Sequence, residues 1–218
     1  MTELPAPDPM VAAIDVFTRQ GYEATTVDDI ADAAEMSRST FFRRFKSKDD
    51  VVFTDHEVLL GRVKDYLEAS SATPLQAVCG AARLVFEHHV RRKEISLARF
   101  ALLHDVAALR DRELVTSYRY ENAFTHFLRS ALPDNPQREY VSIAFSAAVV
   151  ALHNAVLRQW LLDPERDLSH RLNSQLRSLT KAFTVDVAEG KQDKFLVAVF
   201  DGDSDQDELM AAIKASLT

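Results

Sequence analysis

Residues 25–48 read TTVDDIADAAEMSRSTFFRRFKSK, and this stretch contains the start and stop signals of two short helices. Thr26 followed by Asp29 forms a capping box, which predicts a helix start at this point. Apolar residues then recur at helical spacing as far as Ala34. Ser37 is placed to cap a second helix. The stretch therefore predicts two short helices separated by a tight turn.

The second of these helices is basic on one side and apolar on the other. Phe41 and Phe45 lie four residues apart and can share one buried face, which turns Arg38 and Arg43 outward. Residues 37–48 contain five cations and no carboxylate, although the whole chain carries a net charge of −7. Cations gathered on one helix of an acidic chain indicate an anionic partner.

A short helix, a tight turn and a basic second helix are typical of a helix-turn-helix unit, whose second helix enters the major groove of DNA. In that arrangement Arg38 and Ser39 can reach base edges, while the other polar residues contact phosphates. The alternative is a solvated basic face, but the caps, the turn and the apolar stripes together favour DNA binding. The predicted DNA-contacting residues are Thr26, Ser37, Arg38, Ser39, Thr40, Phe42, Arg43, Arg44, Lys46 and Lys48.

The remainder of the chain also predicts helices, and hence an all-α fold. Five glycines and seven prolines in 218 residues, with 47% hydrophobic residues, favour long helices around a substantial core. Apolar stripes predict a first helix over 9–20, a connecting helix over about 48–70, and further helices over 74–92, 95–106, 111–132, 137–162 and about 168–183. The predicted units are a DNA-binding domain over 1–53, a helical domain over 54–188 and a C-terminal tail over 189–218, with a short strand at 195–200 followed by a helix.

Other classes of protein find less support in the sequence. Cys79 is the only cysteine, so an intrachain disulfide is excluded. Phosphate-binding, dinucleotide-binding, nucleophile-elbow and zinc-protease motifs do not occur, so we expect neither an enzyme nor a cofactor or metal site. A catalytic group assembled from residues distant in sequence stays open. With no secretory signal pattern and no long uncharged apolar run, we expect a cytoplasmic protein without a membrane partner.

The stretch GYEATTVDDIADAAEMSRSTFFRRFKSKDDVVF, residues 21–53, resembles the N-terminal DNA-binding domain of the TetR family of bacterial transcriptional regulators. The similarity extends over about residues 8–53. Two positions depart from the family pattern. Glu35 stands where the family usually has glycine in the turn, so the expectation is either a non-glycine residue at a positive φ or a slightly different turn. Phe42 stands where the family often has a tyrosine that contacts phosphate, and it lacks the hydroxyl group.

The resemblance implies an all-helical homodimer whose larger domain dimerises and binds a small-molecule effector. On that basis, residues 137–162 and 167–187 are the expected dimer helices, and the function is that of a ligand-responsive repressor of a pseudo-palindromic operator. The alternative is a helical adaptor or enzyme that retains a helix-turn-helix-like domain. An effector pocket between helices is expected to be apolar with a few polar atoms. The candidate lining residues are Phe86, Phe100, His104, Phe124, Phe127, His153, Asn154 and Trp160.

Overall fold

The computed structural model describes residues 7–189, and this part of the chain is helical without strands. The all-α prediction is therefore confirmed. The predicted strand and helix of the C-terminal tail lie outside the described residues. The helices in this range are α1 (Pro9–Gln20), α2 (Val27–Ala33), α3 (Arg38–Arg44), α4 (Lys48–Val51), α5 (Thr54–Ala69), α6 (Pro74–Arg91), α7 (Lys93–Asp105), α8 (Ala107–Ala131), α9 (Arg138–Leu162) and α10 (Ser169–Glu189).

The first three helices begin and end where the sequence signals place them. Asp8 caps α1 by accepting a hydrogen bond from the backbone N–H of Met10, and Pro9 occupies the first helical position. Gly21 ends α1 at a φ of 85°, a backbone conformation that costs glycine little. Thr26 caps α2 through the predicted capping box, and Ser37 caps α3.

The prediction of one connecting helix over 48–70 was wrong in one respect: the helix is divided into α4 and α5. Ser47 caps α4 as expected, but the helix lasts a single turn. Phe53 breaks the helical run with φ −114° and ψ 17° before α5 begins. Val52 and Phe53 are fully buried or nearly so, and they anchor the break in the core of the DNA-binding domain. Burial of these two side chains thus outweighs continuation of the helix.

Helices α5 to α10 form a bundle around a second and larger core. Its centre contains Phe86, Phe124 and Phe145, which are almost completely buried. α9 packs against α8, α10 and α6, so it lies in the middle of the bundle. By length and composition α9 would be able to cross a membrane, since its most apolar 18-residue stretch has a mean hydropathy of 1.7. However, 44% of that stretch is buried against the rest of the protein, as in a core helix.

The structure corrects the buried faces that the sequence predicts for α7 and α8. The apolar stripe of α7 consists of Leu97, Phe100, Ala101 and His104, of which the first two are half-buried and the last two exposed. The buried positions on this helix are Ser96, Arg99 and Leu103. On α8, Leu114 and Tyr118 belong to the apolar positions that predicted the helix, but they are 68% and 60% exposed. The α7 prediction failed because it assumed an apolar buried face, whereas polar residues on this helix are paired inside the protein, as described below.

The hydrophobic core of the DNA-binding domain includes side chains from the larger domain. Its core cluster includes Leu103 at the end of α7 and Leu109 at the start of α8, packed with residues of α1 to α4. Leu109 is completely buried. The α7–α8 corner of the large domain therefore forms part of the hydrophobic core beneath the DNA-binding helices, and a displacement of α8 would be felt there.

Candidate functional site

The predicted recognition helix α3 presents one apolar face inward and one basic face outward. Phe41 is completely buried and Phe45 is nearly so, and their rings contact each other at 5.0 Å between centroids. Arg38, Arg43 and Phe42 lie on the exposed side, where Phe42 is 48% exposed. The buried phenylalanines fix the rotation of α3 and so determine which residues face outward.

The turn between α2 and α3 has the positive φ that the family resemblance suggests. Glu35 has a φ of 51°, and it is the only non-glycine residue with positive φ in the described part of the chain. Its N–H donates to the carbonyl of Asp32, and the N–H of Met36 donates to that of Ala31. These two bonds form a Schellman motif with Glu35 at the left-handed position, where glycine is normally preferred. The turn keeps its geometry at a local energetic cost.

Arg38, the predicted base-reading residue, is already paired in the absence of DNA. Its Nη1 donates to both carboxylate oxygens of Asp28 on α2, at 2.7 and 2.6 Å. The guanidinium group also lies over the Phe42 ring, 5.3 Å from its centroid. Both members of the ion pair are largely exposed, and pairs of this kind contribute little stability. DNA can therefore compete for Arg38, and the Phe42 ring provides a surface against which the guanidinium group stacks.

The hydroxyl groups among the predicted DNA contacts are used in helix caps. Thr26 Oγ1 accepts from the backbone N–H of Asp29 and donates to its carboxylate. Ser37 Oγ accepts from the N–H of Thr40 and is also within hydrogen-bonding distance of the hydroxyl groups of Thr40 and Ser39. All of these bonds are exposed. The hydroxyls are thus pre-oriented on the protein surface, next to the helix N-termini that favour phosphate.

The remaining cations fall into two groups. Arg43, Arg44 and Lys46 are exposed, and none of them makes an ion pair within the described residues. Lys48 differs, because its Nζ donates to the backbone carbonyls of Tyr22 and Thr25 at 2.7 and 3.1 Å and lies over the Tyr22 ring. Lys48 holds the loop between α1 and α2 in place, a structural role that its position in a basic run does not reveal.

An ion pair joins the DNA-binding domain to the large domain. Arg112 on α8 contacts a carboxylate oxygen of Asp50 on α4 at 2.6 Å, and both side chains are partly buried. The other oxygen of Asp50 accepts from the backbone N–H of Lys46, just after α3. α8 is therefore coupled through one carboxylate to the chain that follows the recognition helix.

A cluster of buried polar side chains lies below this contact, between α1, α5, α6, α7 and α8. Arg99 is its centre and donates through Nη2 to Asp55 at 2.8 Å and through Nη1 to His56 Nε2 at 2.8 Å. The hydroxyl group of Tyr120 lies 3.0 Å from His56 Nδ1. We name these residues the junction cluster; its members are Asp55, His56, His88, His89, Ser96, Arg99 and Tyr120.

The protonation states of the junction cluster follow from burial and pairing. Burial lowers the pKa of His56 to about 3, and the neighbouring charge of Arg99 acts in the same direction. The pKa of His89 is also well below its usual value, chiefly because of burial. Burial alone would raise the pKa of Asp55, but the hydrogen bond to His88 and the charge of Arg99 outweigh it, and the pKa is strongly lowered. The cluster thus holds two neutral histidines and one Arg–Asp ion pair.

Two small cavities lie against the cluster inside the helical bundle. The larger has a volume of about 60 Å³ and the smaller about 30 Å³, and Ser117, Tyr120 and Asn154 line both. The walls of the larger cavity include Arg99 and Glu113. Burial raises the pKa of Glu113, which favours its neutral form. The cavities therefore combine apolar walls with a few polar groups, as ligand sites do.

The structure separates the predicted effector residues. Phe124, His153 and Asn154 line the smaller cavity, and Phe100 lines the larger. Phe86 and Trp160 are core residues whose rings pack 6.4 Å apart, and Phe86 also contacts the ring of His153. Phe127 lies apart from them, in a groove of about 600 Å³ between α5 and α8. His104 is exposed, because its place on α7 faces away from the bundle.

Two polar atoms beside the cavities have no hydrogen-bond partner within the described residues: His153 Nε2 and Arg99 Nε. Unpaired buried polar atoms are rare in proteins. Sequence reasoning selected His153 but missed Arg99, Ser117 and Tyr120. The available signal for a buried polar face was the spacing of Arg92, which precedes α7, with Ser96 and Arg99, four and seven residues later on that helix. No group of three or more potential metal ligands is assembled within residues 7–189.

Comparisons with known proteins agree with this arrangement. Residues 10–53 match the family described as bacterial regulatory proteins of the tetR family, and residues 72–184 match the MftR C-terminal domain. The chain is 31% identical over 169 residues to the HTH-type transcriptional regulator TcmR of Streptomyces glaucescens, covering 72% of this chain and 73% of that protein. An uncharacterised HTH-type regulator of Bacillus subtilis, YvkB, is 30% identical over 98 residues, covering 44% of this chain and 52% of that protein.

Solved structures share the fold. FadR of Thermus thermophilus, in complex with lauroyl-CoA, superposes with a TM-score of 0.51 at 22% identity, covering 89% of this chain and 98% of that chain. SmeT in complex with triclosan has a TM-score of 0.58 at 18% identity, covering 80% and 89% of the two chains. The matched domains account for both the helix-turn-helix and the helical bundle. The chain belongs to the TetR family of bacterial regulatory proteins and is a DNA-binding transcriptional regulator.

Proposed function

We propose that the protein is a cytoplasmic, homodimeric repressor that leaves its operator when a small molecule occupies the cavities beside the junction cluster. The observation that carries this proposal is the position of α8. Tyr120 and Ser117 on this helix line the cavities, and Arg112 on the same helix binds Asp50 below the recognition helix. One rigid element thus contacts both sites.

The DNA-binding surface is proposed to divide its work between base readout and phosphate contact. Arg38 stands at the N-terminal end of α3, the end that meets base edges in helix-turn-helix complexes. Its guanidinium group can bind guanine O6 and N7 in bidentate fashion. Arg43, Arg44 and Lys46 are exposed along the rest of the surface and suit phosphates. Acidic residues on α2, among them Asp28 and Asp32, repel DNA that does not engage α3.

The proposed dimer interface is formed by α9 and α10. Ile143 on α9 is 46% exposed, and the small residues Ala147 and Ala151 follow it at helical spacing on a half-buried face. An apolar stripe with small residues allows two helices to approach closely. Two recognition helices held by such an interface can read the two half-sites of a palindromic operator.

The dimer proposal can be tested by sedimentation of the Ile143→Arg variant. A charge at the centre of the stripe is expected to shift the protein to monomers and to weaken operator binding. Leu114→Arg is the matched control. Leu114 is an exposed aliphatic side chain of the same size as Ile143, but it lies on α8, outside the proposed interface. Dissociation by Leu114→Arg, with an intact dimer in Ile143→Arg, would place the interface elsewhere.

Effector release is proposed to act by population shift. A ligand that fits the cavities only when α8 is displaced binds the DNA-incompetent spacing better and so moves the equilibrium away from the operator. Two proteins of similar fold are known in complex with small molecules, Thermus thermophilus FadR with lauroyl-CoA and SmeT with triclosan. The Arg112–Asp50 contact is the proposed route to α3. Arg112→Ala should therefore retain ligand binding while the ligand loses its effect on DNA affinity.

Fluorescence anisotropy with the DNA upstream of the gene tests the function itself. We expect specific binding at physiological salt that is at least a thousand-fold tighter than binding to scrambled DNA, as for specific regulators. Micromolar binding that is indifferent to sequence would exclude a specific repressor. That result would favour the alternative, a helical adaptor or enzyme that retains the helix-turn-helix domain without using it to recognise an operator.

A further inference from the structure

The hydrogen bonds of the junction cluster determine which polar groups face the cavities. Arg99 has only donors, so His56 Nε2 accepts its bond and the His56 ring carries its proton on Nδ1. That proton is donated to the Tyr120 oxygen at 3.0 Å. The Tyr120 hydroxyl is then left with its own proton to donate. Tyr120 lines both cavities, so it offers them a hydrogen-bond donor.

His153 provides a hydrogen-bond acceptor, and its hydrogen bonds show which ring nitrogen it is. Asn154 Nδ2 donates to Ser117 Oγ at 3.2 Å, so the amide oxygen of Asn154 faces His153 Nδ1 at 3.0 Å. An amide oxygen only accepts, so His153 carries its proton on Nδ1. His153 Nε2 is therefore a lone-pair acceptor. It has no partner within the described residues, and the side chain is only 7% exposed.

A donor and an acceptor thus line the smaller cavity together, among the apolar side chains Val85, Phe124 and Val150. A hydroxyl group satisfies both, since it can accept from Tyr120 and donate to His153 Nε2. A carboxylate can only accept, and so would leave His153 Nε2 unsatisfied. A plain hydrocarbon would leave both atoms unpaired, and a buried unpaired polar group is costly.

The charges around the cavities also disfavour an anionic ligand. Arg99 is the cation on the cavity wall, and its charge is already balanced by Asp55 at 2.8 Å. Glu113 lines the larger cavity and would repel an anion whenever it is ionised. Arg99 Nε remains as one unpaired N–H donor, which suits a neutral oxygen acceptor as well as a charged one.

The available space fits one aromatic ring. At roughly 10–15 Å³ of such volume per water molecule, the smaller cavity of about 30 Å³, which His153 lines, holds only about two waters, whereas the larger cavity of about 60 Å³, which shares Ser117, Tyr120 and Asn154 with it, holds about four. Four waters occupy roughly 120 Å³ of liquid, which is about the size of a six-membered ring with a substituent. The ring of a ligand would therefore lie in the larger cavity with its hydroxyl group in the smaller one, where the Phe86 ring packs 6.2 Å from the ring of His153.

We propose that the cavities bind an uncharged, hydroxylated aromatic compound, with its hydroxyl group between Tyr120 and His153. This inference rests on the proposed effector role of the cavities and specifies their ligand chemistry. A phenol-type hydroxyl replaces the two missing hydrogen bonds, and its ring occupies the apolar part of the site.

Three probes of similar size test this chemistry: phenol, toluene and benzoate. Phenol and toluene differ only in a hydroxyl against a methyl group. NMR titration of the protein should show phenol binding at least five-fold more tightly than toluene, the effect of about one net hydrogen bond. Benzoate should bind most weakly. Phenol should also shift the His153 Nε2 resonance, since that atom gains a hydrogen-bond donor.

Variants assign the preference to the two residues. His153→Phe and Tyr120→Phe should each reduce phenol affinity to the level of toluene while toluene still binds, and toluene binding shows that the cavity is intact. Tyr118→Phe is the matched control, because Tyr118 is an exposed tyrosine on the same helix. Equal affinities for phenol and toluene in the unmodified protein, tighter binding of benzoate, or no binding of phenol would each overturn the proposal.

The operator assay keeps the two proposals apart. Phenol selectivity in a protein that does not bind its operator specifically would contradict the repressor function and leave the ligand chemistry standing. Specific operator binding in a protein whose cavities show no preference for phenol would contradict the proposed ligand chemistry and leave the repressor function standing.

Discussion

The recognition helix and the junction cluster are two charged regions built on opposite principles. On α3 the cations are exposed, and most of them are unpaired within the described structure, so they are available to DNA. In the junction cluster Arg99 and Asp55 are almost fully buried and satisfy one another. An exposed charge keeps its hydration and can change partners at little free-energy cost. A buried charge has lost its hydration, so it depends on one specific partner and geometry. The first region can therefore exchange partners, whereas the second fixes how α5, α6, α7 and α8 pack against one another.

The sharpest test of this contrast is to remove one charge from the buried pair. Asp55→Ala leaves Arg99 buried without its carboxylate, and loss of one member of a buried pair costs about 3–5 kcal/mol. We expect a decrease of that size in the free energy of unfolding measured with urea. Asp15→Ala is the control, because Asp15 pairs with Arg19 on the exposed face of α1. That change should cost less than about 0.5 kcal/mol.

The second test uses pH. Burial lowers the pKa values of His56, His89 and His153 in the folded protein, to about 3 for His56, while histidine in the unfolded chain titrates near 6.5. Below pH 6.5 the unfolded chain therefore binds more protons. The free energy of unfolding should fall with decreasing pH, by up to about 1.4 kcal/mol per pH unit for each histidine, and stay constant with respect to these groups above about pH 7.

Urea midpoints measured at pH 7.5, 6 and 5 check this dependence. His153→Leu should reduce the slope by the contribution of one histidine, while His170→Ala, which changes an exposed side chain, should leave it unchanged. Asp55 does not confuse the measurement, since its strongly lowered pKa matters only as the pH falls below the unfolded carboxyl value of about 3.9. An unchanged slope in His153→Leu would contradict the assignment of a buried neutral ring.

The two regions also differ in how far the sequence predicts them. The caps at Asp8, Thr26 and Ser37 act within three residues, so local pattern places α1 to α3 correctly. The positive φ at Glu35, in contrast, is suggested only by the family resemblance, in which glycine usually occupies this position. In the junction cluster, His56 is hydrogen-bonded to Arg99 and Tyr120, which lie 43 and 64 positions further along the chain. No local pattern contains such pairs, and a rule that expects apolar buried faces misassigns α7.

Local pattern also fails where one residue type serves two purposes. Lys48 belongs to the same basic run as Arg43 and Lys46, yet its ammonium group binds two backbone carbonyls of the preceding loop. His104 and His153 both occur in apolar surroundings along the chain, but only His153 lies on the inner face of its helix. The packing of the whole bundle decides which face of each helix points inward. The sequence alone therefore does not show which of the effector candidates line a cavity.

Among substitutions on the recognition helix, the largest effect is expected at Arg38, the proposed base-reading residue. Arg38→Ala should weaken operator binding by about 1–3 kcal/mol, or roughly 5- to 150-fold, and leave affinity for scrambled DNA nearly unchanged. Arg43→Ala should weaken both alike and reduce the salt dependence by about one phosphate contact. Anisotropy titrations at several salt concentrations separate the two effects. Equal loss of specificity from both variants would contradict the division into base and phosphate contacts.

A smaller effect is expected at the turn. Glu35→Gly removes the side chain that opposes the positive φ of 51°, a penalty of about 1–2 kcal/mol that is partly offset by the greater freedom of glycine in the unfolded chain. We expect the free energy of unfolding to rise by about 0.5–1 kcal/mol. Glu35→Gln is the control, since it removes the charge and keeps the backbone penalty. An equal gain in both variants would show that charge, and not backbone strain, dominates at this position.

The smallest effect concerns the ion pair that holds Arg38 before DNA arrives. Asp28→Asn releases the guanidinium group from an exposed pair worth about 0.2–1 kcal/mol, so operator affinity should rise by about 1.5- to 5-fold. Asp32→Asn removes an equal charge from the same helix without touching Arg38 and measures the general electrostatic gain. In an Arg38→Ala background the two substitutions should become equivalent, because only their interaction with Arg38 distinguishes them. A persistent advantage of Asp28→Asn in that background would mean that Asp28 opposes DNA directly, and that Arg38 is as free in the unbound protein as the other cations of α3.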